Sequence, residues 1–391
     1  IIRLPKFPCP LSALQKPIAY FISKNRAEKS KAGYQRIGGG SPINMYTREQ
    51  AYEIEKSLSN KGYPSIKCYI GMRYWLPYTT EAIKEAKKDG ITHLVVLPLY
   101  PHYSISTSGS SLKELKEILD RKDAPQFQHT VIPYWYERPG YLEAMARLIA
   151  NKYESFSEQE KKEGVHILFS AHGVPISYIK SGDPYKTHIE NCTKLISEQL
   201  QKILDNELLT SSNQPIKVIL PDDNITSIQS LSQSNKVIKS HLSFQSRVGP
   251  VEWLRPYTDH KIEEMGAEGV KNLIVVPISF VSEHIETLDE IDIEYKKLAL
   301  ESGIQHWERA AALNTDPIFI NDISDLIIET LKSPPVTLDD VLSTIQPNLA
   351  KKSKISTFVS SLFRRKYKGI PLTCYGATVA GIAACAKLGL K

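Results

Sequence analysis

The sequence lacks several features that would assign it to a common class of protein. Its five cysteines form no Cys-x-x-Cys pair and no evenly spaced framework, which argues for reduced thiols and against a zinc or iron–sulfur site. These cysteines are Cys9, Cys68, Cys192, Cys374 and Cys385. The glycines at 38–40 are not followed by Gly-Lys-Ser/Thr, so a nucleotide phosphate site is not expected there.

Excess positive charge is absent from most of the chain. The segment from Lys351 to Lys368 holds seven Lys or Arg residues and no acid, more than the net charge of +6 for all 391 residues. The rest of the chain is therefore close to neutral, and nucleic-acid binding is not expected. With 41% hydrophobic residues, the chain can bury one large core or two medium ones.

What the sequence does contain is an alternation of apolar runs, loops and helical segments. Leu94–Leu99 is apolar throughout, as is typical of a parallel strand covered on both faces. The predicted strands are Lys67–Ile70, Ile91–Leu99, Gly164–Ser170, His241–Gln245 and Asn272–Ile278. This alternation predicts a doubly wound α/β fold.

An internal repeat divides the chain. Trp75-Leu-Pro-Tyr-Thr79, a helix and Leu94–Pro98 are echoed by Trp253-Leu-Arg-Pro-Tyr-Thr258, a helix and Leu273–Pro277. The repeat predicts two similar Rossmann-like halves, 1–160 and 161–333, each with a parallel four-stranded sheet. Ligands of such pairs bind in the cleft between the halves, at the carboxyl ends of the strands.

Three further segments depart from this pattern. Residues 205–239 are rich in Ser, Asn and Gln and predict a mobile surface insertion, and residues 334–369 predict a polar, basic linker. The tail, 370–391, is apolar, with Gly376, Ala380 and Ala384 at the spacing of membrane helices. We expect it to be a membrane anchor; a frayed amphipathic tail is the alternative.

The segment Val281–Tyr295 combines a histidine with a line of acids. Ser282 predicts the N-cap of an α-helix on which Glu286, Glu290 and Glu294 share one face. Such a line repels itself unless a cation or a shared proton relieves it. A solvated helix face is the simpler interpretation, and His284 at the strand-to-helix junction favours a site.

A second histidine ends an apolar strand upstream. His172 closes Ile167-Leu-Phe-Ser-Ala-His172, and Gly173 permits close approach of the backbone. A lone histidine in this position is more often structural. We interpret His172 and His284 as junction residues of the two halves, one in each, which favours a shared site.

Aromatic residues and arginines gather at the same junctions. A large, flat, apolar ligand with anionic arms would use such walls together with the arginines. The loop Tyr100–Ser111 could bind an anionic group at a helix N-terminus or serve only to cap that helix. The residues concerned are Tyr34, Tyr74, Trp75, Tyr100, Tyr103, Trp253, Phe280, Arg26, Arg73 and Arg247.

Five separated motifs, taken together, resemble the ferrochelatase family, and details within them resemble its plant and cyanobacterial branch. The motifs are Tyr34–Pro42, Leu97–Ser111, Leu168–Gly173 with Gly182-Asp-Pro-Tyr185, Gln245–Trp253 and Val276–Tyr295. The resemblance implies insertion of Fe²⁺ into protoporphyrin IX to form protohaem, with both as substrates.

The resemblance also assigns roles to individual residues. His172, Glu286 and His284 would be the catalytic residues, with His284 fixing the surroundings of Glu286. His172 and Glu286 would also be metal ligands on opposite faces of the ring. Glu290 and Glu294 would form a route for protons or metal to solvent. The porphyrin-binding positions would be Arg26, Tyr34, Ser41, Arg73, Tyr74, Tyr100, Ser246, Trp253 and Phe280.

Departures from the family pattern set further expectations. We expect the opening strand of the family to lie upstream of Ile1 or to be absent from the first half. Ile105 stands where animal members have a cluster cysteine, so we expect no [2Fe–2S] cluster and no permanently bound cofactor. We expect a plastid membrane location, with the matrix side of the mitochondrial inner membrane as the alternative. The oligomeric state stays open, a homodimer included. Rival functions are another tetrapyrrole chelatase and a non-enzymatic haem or metal carrier.

Overall fold

The computed structural model describes residues 27–28, 30–208, 216–220, 236–345 and 381–387. The strands are β1 Ile66–Met72, β2 His93–Pro98, β3 Gln128–Val131, β4 Val165–His172, β5 Ile216–Ile219, β6 Lys236–Gln245, β7 Asn272–Pro277, β8 His306–Arg309 and β9 Gly381–Lys387. The α-helices are α1 Ile43–Asn60, α2 Thr79–Lys88, α3 Ser108–Leu119, α4 Pro139–Tyr153, α5 Glu158–Glu163, α6 Ile176–Lys180, α7 Tyr185–Leu208, α8 Thr258–Ala267, α9 Lys296–Glu301, α10 Pro317–Lys332 and α11 Leu338–Ile345. A π-helix spans Glu286–Tyr295.

Two sheets carry the fold, which confirms the predicted α/β class. The first sheet has the order β1-β9-β2-β3 and the second the order β5-β6-β4-β7-β8. The second sheet is parallel throughout, whereas in the first β9 runs antiparallel to both neighbours. The prediction of two parallel four-stranded sheets therefore needs correction: the second sheet has a fifth strand, and the first is mixed.

The sequence repeat corresponds to a repeated structural unit. After β1 the chain turns through a cis Leu76–Pro77 bond into α2, and after β6 it turns through a cis Arg255–Pro256 bond into α8. In both units the proline carbonyl accepts a hydrogen bond from the preceding strand, at 2.7 Å from Met72 N and 2.8 Å from Phe244 N. The strands that follow, β2 and β7, are the apolar runs recognised in the sequence.

The largest hydrophobic core spans both halves, and each half has a smaller core of its own. A single cluster of buried apolar side chains includes Leu97 of β2, Met145 of α4, Phe169 of β4 and Phe319 of α10. Helix α10 begins at Asp316, whose carboxylate accepts from the amides of the first turn, and packs on α1 and α4 of the first half. The cleft is thus fixed by helices that cross between the halves.

The predicted linker begins too early. Residues 334–345 are ordered, because Val131 N donates to the Val336 carbonyl at 2.8 Å and α11 buries Leu338 and Val341 in the core of the first half. The sequence analysis assigned these residues to the linker because the segment begins with polar residues, and a short amphipathic helix within it was not recognised. The remainder of the predicted linker lies outside the described residues.

The insertion and the tail are each described only in part. Strand β5 lies within the predicted insertion and pairs in parallel with β6; residues 209–215 and 221–235 lie outside the described residues. In the tail, the backbone of residues 381–387 forms β9 between β1 and β2, so a membrane helix is not the conformation of these residues. Strands β1 and β2 each offer an edge to β9, and hydrogen bonds with them satisfy the backbone amides and carbonyls of β9. No helix in the described part of the chain is long and apolar enough to cross a membrane.

Candidate active site

His172 ends β4, and its backbone is held from both sides. Its amide donates to Ser279 Oγ at 2.9 Å, and the Tyr185 hydroxyl donates to its carbonyl at 2.8 Å. Gly173 follows, where a Cβ would stand 2.8 Å from the Gln245 carbonyl that its own amide bonds. Only glycine allows this approach of β4 to β6, which fixes the imidazole at the carboxyl edge of the second sheet.

The imidazole of His172 is paired with Glu286. Its Nδ1 lies 3.0 Å from Glu286 Oε2, and both side chains are largely buried. Burial lowers the pKa of His172, but the Glu286 carboxylate outweighs burial and the net pKa is raised. Burial raises the pKa of Glu286, yet the neighbouring imidazole holds it below its ordinary value. Because the two groups touch, they lie on the same side of the cleft, which corrects the expectation of opposite faces.

A short relay of polar side chains orients Glu286. Ser170 Oγ donates to Gln245 Oε1 at 2.6 Å, which fixes the amide so that its Nε2 faces the carboxylate at 3.4 Å. Ser170 lies in β4, the strand of His172 itself, and Gln245 ends the neighbouring strand β6. Gln245 was part of a motif in the sequence, but nothing in its residue type indicated this role.

The acids lie on a π-helix and not on the predicted α-helix. Hydrogen bonds from residue i+5 to i are rare and are found most often at functional sites. Both oxygens of Glu290 are bound, by the Tyr295 hydroxyl at 2.8 Å and by Ser246 Oγ at 3.1 Å. Ser246 has φ 65°, a left-handed conformation that residues other than glycine rarely adopt. Burial and the Glu286 charge raise the pKa of Glu290 to about 7.

Glu294, near the end of the π-helix, reaches the surface. An arginine from the first half binds both Glu294 and another acid of the same helix. Arg36 binds Asp289 through two parallel hydrogen bonds of 2.5 and 2.7 Å, and it binds Glu294 at 3.1 Å. Asp289 is buried, whereas Glu294 is exposed. The sequence missed Arg36 and Asp289, because no local spacing relates positions so far apart in the chain.

A second arginine holds the other side of the π-helix. Arg309, which ends β8, donates to Glu283 at 2.9 Å and to Asp292 at 2.6 Å. Glu283 is buried and also accepts from Ala312 N and the Thr287 hydroxyl. These ion pairs stabilise the π-helix against the sheet.

His284 differs from its expected position in two ways. Strands β4 and β7 are neighbours in the second sheet, so His172 and His284 belong to the same half and not to one each. His284 is buried, its ring centroid lies 4.1 Å from that of Phe280, and neither ring nitrogen has a hydrogen-bond partner among the described residues. It therefore packs on Phe280 and makes no hydrogen bond to Glu286. Burial lowers the pKa of His284.

A cavity between the halves opens onto His172. Its walls come from the loop after β2, from the end of β4 and from the loop after β7. They are formed by Tyr100, His102, Thr107, His172, Val174, Tyr185, Ser279 and Phe280. Of the predicted porphyrin-binding residues, Tyr100 and Phe280 are in this lining.

The other predicted porphyrin-binding residues lie outside this lining. Arg73 is bound to Glu114 at 2.9 Å and stacks on the Tyr74 ring. Trp253 donates to the Val248 carbonyl at 2.9 Å, and Ser41 is exposed beside the start of α1. The Tyr34 carbonyl accepts from Gly39 in the glycine turn. Arg26 lies outside the described residues.

This arrangement can move protons and bind a divalent ion. Because Nδ1 of His172 faces a carboxylate, Nε2 is the nitrogen left to act as a base. No group of three or more His, Cys, Asp or Glu side chains suited to a metal occurs in the described ranges. Imidazole and carboxylate suit Fe²⁺, Zn²⁺ and Co²⁺ alike.

Sequence comparisons relate the chain to known proteins. The family model described as Ferrochelatase matches residues 3–331. Ferrochelatase-2, chloroplastic, of Oryza sativa subsp. indica is 53% identical over 334 residues, which cover 85% of this chain and 56% of the rice protein. Its counterpart in Arabidopsis thaliana is 51% identical over 335 residues, covering 85% of this chain and 58% of that protein. The ferrochelatase of Synechococcus elongatus is 49% identical over 355 residues, covering 90% of this chain and 80% of that protein.

The chain thus spans little more than half the length of the plant relatives that it matches. The family model nevertheless includes every strand of the two sheets except β9 and the whole of the site built around His172 and Glu286. On this match, the chain belongs to the ferrochelatase family.

Proposed function

We propose that this chain inserts Fe²⁺ into protoporphyrin IX to form protohaem. The observation that carries the proposal is the buried pair of His172 and Glu286, 3.0 Å apart at the edge of the cleft in a member of the ferrochelatase family. Metallation requires two pyrrole protons to leave the ring while a divalent ion loses its water. The pair supplies a base and a countercharge at the same point.

His172 accepts the pyrrole protons in this proposal. With Nδ1–H directed at the Glu286 carboxylate, the lone pair of Nε2 is available to a ring nitrogen, and the imidazolium that forms is stabilised by the adjacent charge. The Tyr185 and Ser279 contacts hold the backbone, so the imidazole does not have to be reoriented during the reaction. Glu286 thereby sets the tautomer and orientation of the base.

The acids of the π-helix carry protons or metal between the pair and solvent. Glu290 has a pKa of about 7, so it exchanges a proton readily near neutral pH. Glu294 is exposed and ends the route. Fe²⁺ enters as a substrate, and Zn²⁺ and Co²⁺ are expected to be accepted as well because such ligands discriminate poorly between these ions.

Turnover is tested by the loss of protoporphyrin IX fluorescence on addition of Fe²⁺ under anaerobic conditions. His172→Ala is expected to lower kcat by about 100-fold or more, and Glu286→Gln also to lower it, with porphyrin binding retained in both. The matched control is His306→Ala, because His306 forms a similar pair with Glu160 at 2.7 Å, away from the cleft. Porphyrin binding without turnover in the unmodified chain would contradict the proposal and favour a carrier. Turnover only with another tetrapyrrole would favour a different chelatase.

Location and association belong to the same proposal. A plastid location is supported by plant relatives that are named chloroplastic. Membrane association is supported by exposed Trp75, Leu76 and Val251 on loops of the two halves. Fractionation of isolated plastids tests both, and recovery of the chain only in the stroma would contradict membrane association. We further propose that no cofactor is permanently bound.

A further inference from the structure

The cavity beside His172 contains a second imidazole, that of His102. His102 lies in the loop after β2, in the first half of the chain, and is 2% exposed. Its ring stacks on Tyr136, with centroids 5.5 Å apart and an interplanar angle of 19°. Tyr185, whose hydroxyl binds the His172 carbonyl, meets the His102 ring edge-on at 6.2 Å. One tyrosine therefore contacts both histidines.

His102 has a buried nitrogen that no described residue satisfies. Its Nε2 has no hydrogen-bond partner within the described ranges, and of the residues that line the cavity it alone has such an atom. A buried polar atom without a partner costs about 1–3 kcal/mol, and such atoms are rare in folded proteins. The cost is recovered if a molecule that enters the cavity supplies the missing contact.

The environment of His102 restricts what that contact can be. Burial, together with the neighbouring His188, lowers the pKa of His102 to about 3. The ring is therefore neutral at physiological pH, carries a free lone pair and has no proton to give up before it binds a cation. Neutral imidazole is the commonest protein ligand of divalent transition ions. A base is already present in His172, whose Nδ1 faces Glu286.

We propose that His102 is an imidazole ligand for the divalent metal ion on its way to the porphyrin, provided by the half of the chain that does not carry His172. The inference rests on the proposed function, because it assigns the metal substrate a contact in the same cavity. It predicts that metal affinity, and not porphyrin affinity, depends on this side chain.

The first test uses Co²⁺ alone, titrated into the full chain without porphyrin and followed by its visible absorption. His102→Gln is expected to weaken Co²⁺ binding by about tenfold or more. The matched control is His188→Gln. His188 packs at a tilt against the same Tyr136, but its Nδ1 already accepts from Tyr103 N at 3.2 Å and it does not line the cavity. The control is expected to bind Co²⁺ as the unmodified chain does.

A second variant separates direct ligation from loss of packing. His102→Cys is expected to produce a near-ultraviolet thiolate-to-Co²⁺ charge-transfer band that the unmodified chain lacks, since a thiolate at this position would touch the ion. In turnover assays, His102→Gln is expected to raise KM for the metal about tenfold and to leave KM for porphyrin unchanged.

Several outcomes would overturn the inference. Equal Co²⁺ affinities of His102→Gln and the unmodified chain, or absence of the charge-transfer band in a folded His102→Cys protein, would do so. So would equal weakening by His188→Gln, which would indicate a structural effect of the aromatic cluster. Failure of the proposed function can be distinguished from failure of this inference. It would appear as lack of turnover in the unmodified chain, whatever His102 contributes.

Discussion

The ion pair between Arg36 and Asp289 is the contact whose loss we expect to reveal most about the cleft. Arg36 ends a helical segment just before the glycines of the first half, and Asp289 lies on the π-helix of the second. Replacing Arg36 by Gln removes both parallel hydrogen bonds to Asp289 and the third bond to Glu294. The carboxylate of Asp289, 3% exposed, is then left without its charged partner.

The burial of the two partners determines how much free energy of unfolding is lost when the ion pair is broken. Breaking a fully buried pair costs about 3–5 kcal/mol, whereas an exposed pair contributes about 0–1 kcal/mol. Arg36 is 38% exposed, so water can reach Asp289 once the guanidinium is gone. We therefore expect Arg36→Gln to lower the free energy of unfolding by about 2 kcal/mol, between these limits.

Urea unfolding of four proteins measures this energy: the unmodified chain, Arg36→Gln, Asp289→Asn and the double variant. The double variant is expected to lose less than the sum of the singles, with a coupling of about 1–2 kcal/mol. Arg147→Gln is the control, because Arg147 pairs with Glu143 on an exposed helix face and should contribute less than about 0.5 kcal/mol. The reasoning fails if Arg36→Gln costs no more than Arg147→Gln, or if the single effects add.

Two further predictions concern protons. Tyr295→Phe removes a hydrogen bond that lowers the pKa of Glu290. In a plot of kcat/KM against pH, the limb that requires ionised Glu290 is therefore expected to move to higher pH. An unmoved limb would argue against Glu290 as a relay. Burial lowers the pKa of His166 to about 3 and that of His241 to about 4, so the folded chain excludes protons that the unfolded chain binds below about pH 6.5. The free energy of unfolding should therefore fall on acidification below that pH, by up to about 1.4 kcal/mol per pH unit for each histidine, and His241→Gln should reduce the fall seen in urea midpoints.

Strands β2 and β7 were predictable from the sequence, and the short edge strands β3, β5 and β8 were not. Strand β7 is buried at every position, so its apolar run was evident, as was that of β2. Strands β3, β5 and β8 have four residues each and carry exposed or half-exposed side chains, so their composition resembles that of loops. A short strand of this kind depends on pairing with a neighbour, which the sequence does not display.

The site shows the same division. His172 and Glu286 were recognisable because each follows an apolar strand, and motifs around them match a known family. The strand order of the second sheet was not recognisable from the sequence. This order places His172 and His284 in the same half. Arg36 and Arg309 were missed because their importance lies in which carboxylates they meet in the folded chain.

The repulsion among the acids of Val281–Tyr295 was correctly inferred from the sequence, and its relief explains why this helix is not a solvated face. The acids find partners on several different elements. Glu286 meets the imidazole of β4, and Glu290 meets the hydroxyls of Ser246 and Tyr295. The remaining acids of the helix are held by the two arginines: Asp289 and Glu294 by Arg36, Asp292 by Arg309. An α-helix would turn these side chains by a different angle per residue and could not keep all these contacts, so the π-helical register is a consequence of the partners. Loss of one partner should therefore disturb the acids on either side of it as well as its own.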